Sequence, residues 1–282
     1  MLSESSSGEA SGPLSPRPSG RLRLGAPLSL TGRYALMGRL AAAGLWQAVG
    51  DVRGLGGIQV GPERLAPDLA VVDDQSTREG VRRALDDLAD ADVLFGPYGS
   101  DLVEEAAGVA SERGRVLWNH GGGADQVQRL PGVVSVLSPA GAYAAPMLEA
   151  LADIVPGARL LIAAGSGRFA RSVADGARRA AERLGMNVVG TVPPADVPDD
   201  PTKQVDVLLA AGTFAEDLEL LGRLQGQPSA LAAVGAGIGG SLWSSDPGPR
   251  AWWGRPSGKR GFASEPTWGR GGRLSSEASA RR

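Results

Sequence analysis

The chain has no cysteine. Neither a disulfide framework nor a thiolate metal site is open to it, and its redox compartment stays undecided. Its only histidine is His120, which excludes multi-histidine metal sites, and no metal is expected. Lys203 and Lys259 are the only lysines, a pattern of coding bias rather than of function. The net charge is −2 and charged residues make up 21%, so there is no polyanion footprint and nucleic acid is not expected as a partner. No apolar run approaches the ~20 residues of a membrane helix. The start, MLSESSSGEASGPLSPRPSG, lacks a basic segment followed by an apolar one, so it does not read as a secretory signal. Residues 1–20 read instead as a disordered leader, and the chain as it stands reads as cytoplasmic.

What is present is enough for two lobes: 282 residues, 42% of them hydrophobic. Arg21–Leu28 predicts a strand and Leu36–Val52 a helix stopped by Gly54, Gly56 and Gly57. Leu69–Val72 is a strand, and Ser76 or Thr77 caps a helix through Leu88. Val93–Phe95 is a strand, Ser100 or Asp101 caps a helix to Arg113, and strands follow at Arg115–Trp118 and Val133–Leu137. A second series has helices at Ala144–Ile154, Arg168–Leu184 and Ala215–Leu224. Its strands are Ala158–Ala163, Asn187–Val192, Val205–Ala210 and Ala230–Val234. Strands alternating with helices imply an α/β fold of parallel sheets flanked by helices. Ser138-Pro139 is the expected crossover, giving a first lobe at 21–138 and a second, partial lobe at 139–247. Residues 248–282 hold eight Arg or Lys against two Glu and almost no aliphatic residue, and read as a disordered basic tail.

The most telling stretch is Leu94–Gly123, LFGPYGSDLVEEAAGVASERGRVLWNHGGG. Two strands end in small residues, and ligands of open α/β sheets bind outside the carboxyl ends of strands. His120-Gly121-Gly122-Gly123 matches an esterase oxyanion loop, but the chain has no G-x-S-x-G elbow and no second histidine. A glycine-rich binding loop is the better reading. Gly165-Ser166-Gly167-Arg168-Phe169-Ala170 matches the dinucleotide pattern G-x-G-x-x-A, without the acidic residue that would hold a ribose after the next strand. A plain tight turn accounts for it, so no cofactor is expected. Asp73 and Asp74 could form a carboxylate pair, but helix capping and solvated turn charges are the simpler roles. Tyr98 and Trp118 stand at strand ends, lining a pocket or filling a core.

The segments RLGAPLSLTGRYALMGRLAAAGLWQAVGDVRGLGGI, LAVVDDQS, VLFGPYGS, VLWNHGGG and GRFARSVADGARRAAERLG occur in this order. Together they resemble the type I periplasmic binding proteins, in particular the branched-chain amino acid (leucine/isoleucine/valine) substrate-binding components of ABC transporters. The resemblance runs from Arg21 to about Gly237. It implies a two-lobed clamp, a periplasmic or cell-surface location and non-catalytic capture of a small polar metabolite, such as an amino acid, amide or carboxylate. It implies ABC permease subunits as partners. It also places the ligand against Tyr98, Gly99 and Ser100 at a helix start and against His120, Gly121, Gly122 and Gly123, with Met37 where the family often has an aromatic wall.

There are departures. Gly235-Ala236-Gly237-Ile238 stands where the family's amino-acid binders carry an acid for the ammonium group. The second-lobe aromatic before the helix start is also missing, since Gly165 falls near its place. The similarity stops near Gly248–Ala251. Trp252–Arg260, WWGRPSGKR, read out of frame with GC-rich codons gives VGPSQWEA, similar to a segment of the family. A frameshift is therefore expected to truncate the chain and leave the second lobe incomplete. A cytoplasmic ligand sensor on the same fold is the alternative. An NAD-dependent oxidoreductase or an esterase of the HGGG type remains as a more remote one.

Overall fold

The computed structural model describes residues 19–224 and 230–233. The expected leader up to residue 18, the Gly235–Ile238 segment, the basic tail and the proposed frame change all lie outside the described residues. Two sheets form the fold. The first has six strands, β1 (Gly20–Leu28), β2 (Ile58–Val60), β3 (Glu63–Asp73), β4 (Val93–Phe95), β5 (Leu117–Asn119) and β6 (Val133–Ser135), in the order β2-β3-β1-β4-β5-β6. The second has four, β7 (Arg159–Ala164), β8 (Asn187–Val192), β9 (Val207–Ala211) and β10 (Ala230–Ala233), in the order β10-β9-β7-β8. All pairings are parallel except β2 with β3. That antiparallel hairpin was not expected from the sequence, because Ile58–Val60 is short and lies among glycines.

The helices are α1 (Ala35–Gly54), α2 (Arg78–Asp87), α3 (Ser100–Glu112), α4 (Ala145–Ile154), α5 (Arg168–Arg183) and α6 (Phe214–Arg223). Side-chain alternation on the strands sorts them onto faces. In β4, Leu94 packs with α2 and α3, whereas Val93 and Phe95 pack with α1 over Leu24, Ala26 and Leu28 of β1. In the second sheet, Leu160 and Ile162 of β7 face α4 and α5, and Leu161 and Ala163 face Leu220 of α6. The fold is thus the α/β, periplasmic-binding-protein-like arrangement of parallel sheets flanked by helices.

The first sheet is covered unevenly. Trp118 of β5 and Val134 of β6 are register partners and point to the α1 side, where α1 reaches only β1, β3 and β4. Both are about 40% exposed, and Val116 and Val136 are more so. Trp118 therefore lies on an open sheet face and in neither buried cluster of this lobe.

One helix start settles an expected alternative and one differs from expectation. Thr77, not Ser76, caps α2, its side chain accepting from the Gly80 N–H. The N-cap of α3 is Gly99 at φ 102°, with no side-chain cap, because Ser100 and Asp101 are already helical and make other contacts.

In α6, Thr213 and Glu216 form a capping box, and the next residue, Asp217, is fully buried. Its Oδ1 accepts from the Gly212 N–H at 2.8 Å, and its Oδ2 has no partner among the described residues. Burial pushes this carboxyl up to about 6. The folded state then holds the proton more tightly than the unfolded chain, whose aspartates titrate near 3.9. The contribution is complete below about pH 4 and is lost as pH rises through 6. Asp217→Asn should therefore flatten the stability decline between those pH values by about 2–3 kcal/mol. Urea unfolding midpoints of the two proteins across that range check this.

Candidate functional site

The carboxyl ends of β1, β3, β4 and β5 open onto one crevice edge. Here the residues singled out at the β4 and β5 ends meet. Gly99 N–H donates to the Gly121 carbonyl at 3.1 Å, and the Ser100 hydroxyl accepts from the Ala124 N–H at 3.0 Å. Ser100 is buried. With a lone pair spent on Ala124, its O–H proton remains to be donated, which suits an anionic ligand oxygen. Among the described residues the Ser100 and Asp101 amides at this helix start have no partner, nor has that of Gly123.

The loop after β5 is organised by Asn119, which the sequence reading passed over. Asn119 is fully buried; its Oδ1 accepts from the Gly121 and Gly122 amides at 3.2 and 2.7 Å. Its Nδ2 donates to the Gly122 carbonyl and to Ser135 Oγ, both at 2.9 Å. The Gly123 carbonyl accepts from Ala140 N–H at 2.8 Å and Gln128 Nε2 at 3.2 Å. An oxyanion hole needs unspent amides, and those of Gly121 and Gly122 are spent. These glycines serve close packing: a Cβ on Gly121 would stand 2.6 Å from the Pro97 oxygen, and one on Gly122 2.8 Å from Val103 Cβ. His120 begins this loop; burial lowers its pKa, so the ring is neutral, and its Nε2 is buried without a partner.

Aromatic residues gather here. The chain has only three tyrosines, Tyr34, Tyr98 and Tyr143. Tyr34 and Tyr98 meet edge to face at 5.6 Å, and Tyr143 meets Phe169 in the same way at 5.7 Å. A Cβ on Gly123 would stand 3.1 Å from the Phe169 ring and 3.6 Å from the Tyr143 hydroxyl. Burial raises all three phenols, Tyr34 to about 12, so they are neutral donors near pH 7. An aromatic does reach this loop from the second sheet: Phe169, within the first turn of α5 rather than before it, stands against Gly123. Met37, the expected wall, is half-buried in the first turn of α1, beside the aromatic Tyr34.

Polar contacts tie the second sheet's helix to this edge. Glu104 of α3 pairs with Arg168 of α5 at 2.6 Å and with Arg78 of α2 at 3.1 Å. Asp125 N–H donates to Ser172 Oγ at 3.2 Å, while Asp125 Oδ1 accepts from Gly141 N–H at 2.9 Å. The G-x-G-x-x-A turn carries a carboxylate where a dinucleotide would bring phosphates: Glu216 Oε2 lies 3.0 Å from the Cβ position of Gly165. Neither Asp73 nor Asp74 caps α2, whose N-cap is Thr77; Asp73 is a partly exposed turn charge, as expected, and Asp74 alone is withdrawn from solvent. Asp73 accepts from the amides of Leu30, Thr31 and Gln75 and from the Thr31 hydroxyl, and Asp74 is fully buried. Among the described residues no group of three His, Cys, Asp or Glu is placed to hold a metal ion. No helix among them is long and apolar enough to cross a membrane.

Residues 21–227 match the profile of a family described as periplasmic binding protein. No curated protein matches in sequence. Solved structures do match in fold. A solute-binding protein of an ABC transporter from R. palustris, in complex with benzoate, is 20% identical, with TM-score 0.63 over 81% of this chain and 66% of its own. A solute-binding protein from Rhodopseudomonas palustris BisB5, with 3,4-dihydroxybenzoic acid, is 13% identical, with TM-score 0.61 over 78% and 62%. The branched-chain amino acid transporter substrate-binding protein of Streptococcus pneumoniae, with isoleucine, is 13% identical, with TM-score 0.62 over 76% and 64%. The chain thus spans just under two thirds of the length of these structures.

The packing role of the loop glycines has a direct test. Gly121→Ala forces a methyl against immobile backbone and should lower stability by about 1–3 kcal/mol. Gly108→Ala, inside α3 with open space around its Cβ position, should raise stability by about 0.5–1 kcal/mol. Thermal unfolding of the two variants should move in opposite directions.

Proposed function

The chain belongs to the periplasmic binding protein family, and from that premise we propose that it captures a small carboxylate with an aromatic or apolar body, as the substrate-binding component of an ABC importer. The observation that carries this reading is the buried Ser100 hydroxyl, held by Ala124 so that its proton is free, at a helix start with unspent amides. Such a start carries partial positive charge and favours an anionic oxygen. Around it stand neutral phenols and Phe169, which suit a flat apolar body better than a charged one.

A free α-amino acid fits less well. The sequence has no acid between Gln225 and Ser245 to receive an ammonium group. Glu216, the carboxylate beside Gly165, is engaged by its own capping box, its Oε2 accepting from Thr213 N–H at 2.7 Å. Two of the solved structures similar in fold are complexes with benzoate and 3,4-dihydroxybenzoic acid, which agrees with this choice. Capture is non-covalent. Tyr98, Gly99, Ser100 and the 120–123 loop form the fixed wall, with Gly123 N–H as that loop's free donor. Tyr143 and Phe169 close the other side, and Glu104–Arg168 holds the two sides together. Delivery of the ligand to permease subunits follows from this role.

Isothermal calorimetry tests the reading. Benzoate should bind and isoleucine should bind more weakly. Ser100→Ala should weaken benzoate binding by about 1–3 kcal/mol, since a buried ligand oxygen loses its donor. Tighter binding of isoleucine would overturn the choice of ligand. An unchanged benzoate affinity in a Ser100→Ala protein of lowered melting temperature would reduce Ser100 to a structural residue.

A further inference from the structure

We propose that Asp74 is a positioning residue of this site: through Ser76 it sets the place of Tyr34, and with it the first-lobe aromatic wall. The inference rests on the aromatic-carboxylate reading for its ligand consequence, though not for its geometry.

Gln75 and Ser76 are consecutive non-glycine residues in the left-handed region, at φ 54° and 57°. Each such residue costs about 1–3 kcal/mol and persists only where its surroundings over-determine it. The surroundings here are two carboxylates. Asp73 Oδ1 accepts from the Gln75 N–H at 2.9 Å. The buried Asp74 Oδ1 accepts from the Ser76 N–H at 2.8 Å and from the Ser29 hydroxyl at 2.6 Å. Held in this way, Ser76 turns its hydroxyl toward the β1–α1 turn. Its Oγ accepts from the Tyr34 N–H at 3.0 Å and donates to the Thr31 carbonyl at 2.8 Å. Gly32 passes so close that a Cβ there would lie 2.7 Å from that same Oγ.

Tyr34 is the N-cap of α1; its carbonyl accepts the first helical bond from Gly38 N–H at 2.9 Å, and the Ser76 hydroxyl takes its N–H, tying it to the β3 turn. From that anchor the ring stands edge-on to Tyr98, and its hydroxyl donates to Asp101 Oδ1 at 3.2 Å. Arg33 lies over the ring at 4.6 Å and pairs with Asp101. A strained turn after β3 thus fixes an aromatic side chain at the start of α1. Binding of Tyr34 to its neighbours alone would not require the strain.

Three variants and two readouts test this. Asp74→Ala removes the acceptor; Asp74→Asn keeps an oxygen for Ser76 N–H and Ser29; Ser76→Gly relieves the left-handed strain but deletes the hydroxyl. The first readout needs no ligand. Burial, with the Asp101 carboxylate, pushes the Tyr34 phenol up to about 12. Phenolate absorbance at about pH 11, taken as the difference from the matching Tyr34→Phe protein, should show Tyr34 neutral in wild type and Asp74→Asn. It should show Tyr34 ionised in Asp74→Ala and Ser76→Gly. The second readout is the benzoate Kd, expected to rise roughly tenfold in Asp74→Ala and Ser76→Gly, an effect of about 1.4 kcal/mol. Ser76→Gly should do this without a lower melting temperature. A wild-type Tyr34 titration in Ser76→Gly and Asp74→Ala would overturn the proposal, whatever their stability. A shifted titration with no benzoate binding by wild type would uphold the positioning role and defeat the ligand reading.

Discussion

The structure turns on one stitch, the Ser100 hydroxyl accepting from the Ala124 amide. Parallel strands have no hairpins to hold their ends together, so the loops at their carboxyl ends must be joined by tertiary bonds. This bond, with Gly99 N–H on the Gly121 carbonyl, clamps the β4–α3 loop to the β5 loop. Both bonds are out of water, where an unmade partner would cost about 1–3 kcal/mol. The next residue, Asp125, continues the chain of contacts to Ser172 on α5 and to Gly141 in the crossover. Lobe-to-lobe registration and the geometry of the crevice therefore share one set of bonds.

The crevice so formed is unusual in how its polarity is distributed. The backbone groups of the glycine loop are mostly consumed by Asn119, Gly99, Ala140 and Gln128. What is left to meet a ligand is a hydroxyl proton, a few amides at a helix start, and the faces and hydroxyls of aromatic rings. Such a set suits the proposed ligand, an anion attached to an apolar body. It offers little to a cation, and the ion pairs nearby, Glu104 with Arg168 and Arg78, are already satisfied. Outside the crevice, the charged groove between α2 and α3 is likewise closed by its own pairs, Arg78 and Arg82 with Glu105 and Arg113 with Asp86.

The open face of β5 and β6 is the counterpart of this economy. Parallel sheets are ordinarily covered on both sides. In the second sheet β7 and β9 are, by α4 and α5 on one face and α6 on the other, while no residue of β8 is fully buried. On the first sheet, Val116, Trp118, Val134 and Val136 present apolar surface beyond the reach of α1.

Periodicity and turn residues were enough to read most helices and strands, the parallel α/β class and the two loops that meet at the crevice. These depend on neighbours along the chain: apolar spacing in α2 or α5, and the glycines after β4 and β5. The two loops could be picked out on that basis, and the family resemblance then put Ser100, Gly99 and Gly121 to Gly123 against the ligand. The β2–β3 hairpin, the capping role of Gly99 and the exposure of Trp118 could not, because each is decided by what lies across the sheet. The same holds for Asn119, Tyr34, Tyr143 and Phe169, which are scattered along the chain and acquire a common role only when parallel strands bring their carboxyl ends together. Asp74 shows the limit most sharply. From sequence it is one of two acids after a strand; in the fold it is buried, bonded to Ser29 and Ser76, and tied through them to a residue 40 positions away. Local spacing sets which way a side chain points from its own element, but burial and partnership depend on pairings between segments remote in sequence, and those only the tertiary structure decided.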